Sequence, residues 1–219
     1  MFGNHVNKKQ IYSTLATNTA SNIFFFAFQK ILELFSFALL IRILGLELFG
    51  LLMISDALLG QFQFLEGGIS AGLQKYIPKF RKSNDLKDIS RAMTGTFVIF
   101  LIIGIFIASV ITTLAFFNLL SIFKIKNTAD ANLIFYCTAC LAIFQWPLKV
   151  FDNSMKGFNL FHELNIISLK RSIASTFLTI ILALIGFPLY TLIIIRFIPS
   201  LFFLLQKIEA IRTKFEEPF

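Results

Sequence analysis

Three long stretches of the chain, residues 92–123, 131–148 and 172–195, contain no charged residue. An apolar segment of about 18 residues or more is long enough to cross a bilayer as a helix, and lipid forces such a segment to satisfy its backbone hydrogen bonds internally. Only 15% of the chain is charged, against about 25% in typical soluble domains. The sequence therefore predicts an all-α polytopic membrane protein.

The apolar segments predict six transmembrane helices in a single domain, residues 1–219. The predicted spans lie near 19–43, 49–74, 93–119, 131–151, 168–186 and 188–206. Gly and Pro favour abrupt turns. We therefore expect "LGLELFG" (44–50) to connect the first two spans and "IGFPLY" (185–190) to connect the last two.

The distribution of Lys and Arg predicts the orientation of these spans. Fifteen basic residues lie in the two tails and in the loops after the second and fourth spans, whereas three lie on the opposite side. Cytoplasmic loops carry the excess of Lys and Arg, so both termini should be cytoplasmic. The net charge of +8 then reflects membrane insertion, and we expect no nucleic-acid partner.

Polar side chains also occur inside the spans, where burial in lipid is costly and a functional role is the first hypothesis. At about 100° per residue, the polar residues of the first span share one face, and those of the second span do the same. The residues predicted to line a substrate cavity are Asn22, Gln29, Lys30, Glu33, Asp56, Gln63, Glu66 and Arg196. An alternative stays open, because polar stripes can also hold a bundle together by interhelical hydrogen bonds.

Arg196 lies about nine residues into the sixth span, which is roughly 14 Å deep at the helical rise. At that depth it needs either an anionic ligand or a carboxylate partner, for which Glu33 is the best candidate by depth. Pro199 should kink this helix, because it frees a carbonyl. The hydroxyl stripe through Ser172 and Ser175 is interpreted as helix packing.

Small residues and cysteines are given structural interpretations. Gly68 and Gly72, like Gly104 and Ala108, have the spacing typical of close helix packing. The "CTAC" motif (137–140) is interpreted as a pair of packing thiols. Phosphate-binding loops and nucleophile elbows are not found in the sequence, so we expect no metal, no cofactor and no enzymatic activity.

Three motifs resemble one family of transporters. "RILGLELFGLL" (42–52) resembles the turn after the first helix of polysaccharide-export flippases, where an Arg, then Leu-Gly, then Phe-Gly recur. "GLQKYIPKF" (72–80) resembles that family's basic exit into the cytoplasm, and "MKGFNLFHELN" (155–165) is similar to its Gly-Phe-x-x-x-x-Asn-type loop. The family is the Wzx-like O-antigen and teichoic-acid flippases of the MATE-related multidrug/oligosaccharidyl-lipid/polysaccharide (MOP) superfamily.

The resemblance implies two six-helix lobes facing a central cavity, of which this chain would be one. It implies a multi-pass protein of the bacterial cytoplasmic membrane that flips undecaprenyl-pyrophosphate-linked sugars for polysaccharide biosynthesis, by alternating access. Lys30 and Arg196 would attract the anionic substrate. A second lobe, either a missing half or another copy, would be a partner beside the bilayer and the polyprenyl-linked oligosaccharide.

Three other functions remain open. A drug or lipid-II exporter would share the fold. A membrane-embedded glycosyl or phosphosugar transferase would need acidic metal ligands on a cytoplasmic loop, where the sequence offers only Asp85 and Asp88 among basic residues. A non-transporting membrane scaffold would not need charges near the midplane.

The charge distribution makes the orientation testable with reporter fusions. Fusions at Asn84 and Asn159 should report a cytoplasmic location and a fusion at Asn127 an external one, because basic loops stay in the cytoplasm. A cytoplasmic reporter at Asn127 would contradict the six-span topology.

Overall fold

The structure is a computed structural model that describes residues 8–83, 85–117 and 128–216. Side chains are described for these residues except 8–21, 128–130 and 215–216. Asn84, Asn127, the end of the third predicted span (118–119), Lys124 and Lys126 lie outside these ranges. The described helices are α1 (Lys8–Gln61), α2 (Phe64–Lys82), α3 (Leu86–Phe116), α4 (Thr128–Gly157), α5 (Phe161–Ile185), α6 (Leu189–Ile195) and α7 (Ile198–Glu216). The predicted all-α class is confirmed for this part of the chain.

Five helical stretches in the described ranges are long and apolar enough to cross a membrane: Asn22–Gln61, Leu86–Phe116, Ala131–Gly157, Phe161–Ile185 and Leu189–Lys214. Large apolar side chains remain on their outer faces, with Phe24 66% and Phe202 66% exposed. A soluble protein rarely leaves apolar patches of this kind uncovered. The protein is therefore a helical membrane protein, whereas the count of six spans remains a prediction.

Gly45 turns the chain back on itself within α1. Its φ of 78° and ψ of 166° are non-helical, and this region of backbone conformation is essentially restricted to glycine. The rings of Phe37 and Phe49 lie 5.6 Å apart, although twelve residues of straight helix would separate them by about 18 Å. The predicted turn at "LGLELFG" is confirmed, and α1 consists of two limbs, 8–44 and 46–61.

The second predicted span, 49–74, is wrong as a single continuous helix. Helix α1 ends at Gln61 and α2 begins at Phe64. Across this junction the amides bond three residues back, from Gln63 to the Gly60 carbonyl and from Glu66 to the Gln63 carbonyl, at 3.1 Å each. Gly60, Gly67 and Gly68 surround the junction, and glycine is the weakest helix former after proline.

The last predicted span, 188–206, is interrupted as well. Helix α5 ends at Ile185, and Gly186, with its left-handed φ of 87°, makes the predicted turn. Helix α6 then stops at Ile195, and α7 begins at Ile198. Pro199 has no amide hydrogen, and its ring crowds the carbonyl four residues earlier, which belongs to Ile195. The kink expected at Pro199 is confirmed, and it lies directly at Arg196.

Helices α3 and α4 pack closely together at Gly104. A Cβ atom added there would lie 2.9 Å from the Ala142 carbonyl oxygen and 3.2 Å from the Ile143 Cα. Phe100 and Trp146 pack edge to face nearby, with ring centroids 6.4 Å apart. Close packing is confirmed at Gly104, whereas a Cβ at Gly68 or Gly72 would meet nothing within 4 Å, so the packing interpretation is wrong for that pair.

The Gly104→Ala variant should lower the thermal stability of the purified protein, because its methyl group collides with backbone atoms of α4. Gly72→Ala is the matched control. It should leave the stability unchanged or raise it slightly, since Ala is favoured over Gly in a helix interior by about 0.5–1 kcal/mol. Equal melting temperatures for Gly104→Ala and Gly72→Ala would contradict this packing.

Candidate functional site

A cavity of about 420 Å³ lies among α1, α4, α5, α6 and α7. Twelve of its eighteen lining residues are polar or charged, although 57% of the chain is hydrophobic. Small-molecule sites are usually lined mostly by apolar groups with a few polar ones. The lining of this cavity therefore suits a charged or hydroxylated ligand better than an apolar one.

One face of α4 supplies much of the polar wall. Thr138, Gln145, Lys149 and Asp152 all line the cavity, and their spacings of seven, four and three residues place them on a single side of a helix. Helix α5 contributes Arg171, Ser172 and Ser175 to the lining of the same cavity.

Ion pairs hold three of the four cations that line the cavity. Arg196 Nη1 donates to Asp56 Oδ2 at 2.8 Å and connects the end of α6 to the second limb of α1. Lys207 of α7 pairs with Asp152 of α4. Lys149 of α4 pairs with Glu66 of α2. Each pair joins two different helices, so the charges also fix how the helices are arranged around the cavity.

The expected pairing of Arg196 with Glu33 is wrong, because Arg196 pairs with Asp56 and Glu33 pairs with Lys30 at 2.7 Å. Glu33 lies on the limb of α1 before Gly45 and Asp56 on the limb after it. The turn at Gly45, however, brings the second limb of α1 to the cavity, and Asp56 with it.

Glu66 belongs to a polar network between α2 and α4. Besides pairing with Lys149, its carboxylate accepts hydrogen bonds from Ser70 Oγ at 3.4 Å and Asn153 Nδ2 at 3.5 Å. Gln74 Nε2 donates to Asn153 Oδ1 at 3.2 Å. This part of the predicted polar stripe contacts a neighbouring helix, and it reaches the cavity only through Lys149.

Arg171 differs from the other three cations. It lines the cavity and is half-buried, and within the described part of the chain its guanidinium makes no hydrogen bond or ion pair. A guanidinium carries five donors and is always charged, so this side chain presents unused donors and a positive charge to the cavity.

Asp56 and Arg196 are the two members of the predicted set that line this cavity. Asn22 is not among the residues that line the cavity. Its side chain accepts a hydrogen bond from Asn165 of α5. Lys30 and Glu33 form an exposed pair on the first limb of α1. Gln29 is half-buried and Gln63 is exposed.

Sequence reasoning missed Lys149, Asp152, Arg171 and Lys207 as site residues. Lys149 and Arg171 were counted with a basic cytoplasmic loop although they lie within the ends of the predicted spans 131–151 and 168–186, and Lys207 lies one residue beyond the predicted span 188–206. The spacing of Thr138, Gln145, Lys149 and Asp152 was the available signal, since it is a polar stripe of helical period in the fourth span.

The site offers no evident place for a metal. Among the described residues, no group of three or more His, Cys, Asp or Glu side chains is close enough together to hold an ion. Cys137 and Cys140 are free thiols.

No protein-family model, curated protein or solved structure matches this chain. The comparisons therefore support no family assignment, and any function has to be argued from the cavity itself.

Cysteine labelling should distinguish the cavity from the lipid-facing surface of the same helix. With Cys137 and Cys140 replaced by Ala, Ser172→Cys should react with a small water-soluble thiol reagent in membranes, because its side chain lines the cavity. Phe177→Cys should not react, because Phe177 is 57% exposed on the apolar outside of α5. Equal protection of both positions would contradict a water-filled cavity.

Proposed function

We propose that this protein is one six-helix lobe of a transporter that moves lipid-linked oligosaccharide across a bacterial cytoplasmic membrane for polysaccharide biosynthesis. The substrate class is a polyprenyl-pyrophosphate-linked repeat unit, such as that of O-antigen. The chain has the role of a flippase, with the cavity receiving the charged headgroup of the lipid.

The cationic, hydroxyl-rich lining of the cavity is the observation that carries this proposal. A substrate of this class presents phosphate oxygens and sugar hydroxyls, and the cavity offers Arg and Lys side chains beside Ser55, Ser172 and Ser200. Charged groups inside a membrane bundle are costly and mark substrate pathways. The helical chain is interrupted between α6 and α7, beside the cavity. Membrane proteins tolerate such an interruption where the backbone lines a cavity.

The polar lining disfavours an exporter of apolar drugs and a scaffold, whereas the lipid-II exporter stays open because its substrate also carries a pyrophosphate and sugars. An exporter of apolar drugs needs a mainly apolar pocket, whereas twelve of the eighteen lining residues here are polar or charged. A scaffold that only holds partners together gains nothing from a cavity with four cations.

A second lobe would complete the transporter. The side chains of the Lys30–Glu33 pair are 55% and 44% exposed, in a mainly apolar stretch of α1. A charge pair facing lipid is unfavourable. We therefore place this face against a second six-helix lobe, either another copy or a separate half, across a water-filled space.

Export of surface polysaccharide in cells that depend on this chain tests the role of Arg196. Arg196→Ala should lower export by about 10- to 100-fold, since hydrogen bonds to charged groups contribute about 1.5–3 kcal/mol. Arg196→Lys should keep part of the activity, because the charge survives without the planar fork. Arg91→Ala is the control, because Arg91 pairs with Asp88 on the surface and its side chain is 79% exposed.

The double variant Asp56→Ala/Arg196→Ala separates a ligand role from a structural one. Removing both partners leaves neither charge without its partner inside the bundle, so the protein should insert at normal levels. We expect export to remain low in this variant. Normal polysaccharide in cells making the double variant would contradict a role for Arg196 in substrate binding.

A further inference from the structure

We infer that Arg171 binds the phosphoryl group of the ligand, together with the hydroxyls of Ser172 and Ser200 that line the same cavity. Arg196, which Asp56 holds in place, would then contact another part of the headgroup. The inference rests on the proposed function and names the subsite that would bind the phosphoryl group of its substrate. Arg171 was not among the residues that the sequence marked as part of the cavity.

The charges around the cavity leave one positive charge uncompensated. Lys149, Arg171, Arg196 and Lys207 line it, and three carboxylates pair with all but Arg171. A charge that is partly withdrawn from water is stabilised by an opposite charge. An anion bound at Arg171 would therefore complete the set without breaking any existing pair.

The geometry of the side chain favours an oxyanion. A guanidinium presents parallel donors that match two oxygens of a phosphate or carboxylate. A phosphoryl group has a further oxygen to satisfy, and Ser172 and Ser200 line the same cavity. Neither hydroxyl makes a hydrogen bond to another described residue, whereas Ser175 Oγ already donates to the Arg196 carbonyl at 3.3 Å.

The single tryptophan of the chain provides a fluorescent reporter of this site. Trp146 is the single tryptophan, and its ring centroid lies 4.0 Å from Nζ of Lys149, which lines the cavity. An anion entering the cavity changes the field at this cation and hence at the indole ring. Intrinsic fluorescence of the purified full-length chain therefore reports occupancy without a label.

The test is a fluorescence titration of the protein in detergent with inorganic pyrophosphate. We expect a saturable change in Trp146 emission. The dissociation constant should rise by about tenfold or more in Arg171→Ala and by a smaller factor in Arg171→Lys. The Lys variant also serves as the test if the Ala variant does not fold. Lys170→Ala is the matched control, because Lys170 is the adjacent residue and is exposed. Its affinity should equal that of the unchanged protein.

An unchanged affinity in both Arg171 variants would overturn the inference, as would an equal loss in Lys170→Ala, which would indicate general charge attraction. Glucuronate in place of pyrophosphate tests the carboxylate alternative, and tighter binding of glucuronate would also overturn the phosphoryl assignment. Titration with nanodiscs carrying a polyprenyl diphosphate identifies the source. Arg171-dependent binding there supports a lipid headgroup, and Arg171-dependent binding of free pyrophosphate alone supports a soluble phosphate.

Binding and export together separate this inference from the proposed function. Arg171-dependent binding with normal export in every cavity variant would support the subsite and contradict the flippase. Loss of export in Arg196→Ala, with pyrophosphate binding that ignores Arg171, would support the flippase and contradict the subsite.

Discussion

A charged side chain inside an apolar helical bundle needs either water or an opposite charge, and this requirement organises the protein. Three carboxylates, Asp56, Asp152 and Glu66, each pair with a cation from a different helix. Each pair joins two different helices, and leaving one charge of a pair without its partner in an apolar bundle is costly, so the pairs favour these helices as neighbours. The pairs connect α1 to the end of α6, α4 to α7 and α2 to α4, and the polar cavity lies among them.

Interruptions in the helices bring these charges together. Gly45 reverses α1, so that Asp56 faces the same space as residues far along the chain. Pro199 prevents α6 from continuing through Ile195, and Arg196 lies where the helix stops. Ser175 donates to the Arg196 carbonyl at this interruption, which satisfies a backbone group that the helix leaves without its usual donor. Backbone irregularity and charge thus occur at the same place, and both border the cavity.

The helical class and the turns at Gly45 and Gly186 could be predicted from apolar length and from the positions of Gly and Pro. The interruption at residues 62–63 could not, because apolar length alone does not register a change to shorter-range hydrogen bonding. Arg196 was identified, but depth along a helix does not specify which neighbour it faces, so its partner was missed. Lys149 and Arg171 were missed because they were assigned to a basic loop at the ends of the predicted spans, whereas they lie on faces of α4 and α5 that line the cavity. Lys207 was missed because α7 extends to Glu216, beyond the predicted span 188–206.

The proposed movement of lipid-linked oligosaccharide to the outer leaflet is the central hypothesis for this protein. It is tested most directly by depleting the protein from cells and measuring lipid-linked oligosaccharide in each leaflet of the cytoplasmic membrane. We expect the intermediate to accumulate in the inner leaflet and to decline in the outer leaflet as the protein is lost. An unchanged distribution between the leaflets after complete depletion would contradict the account.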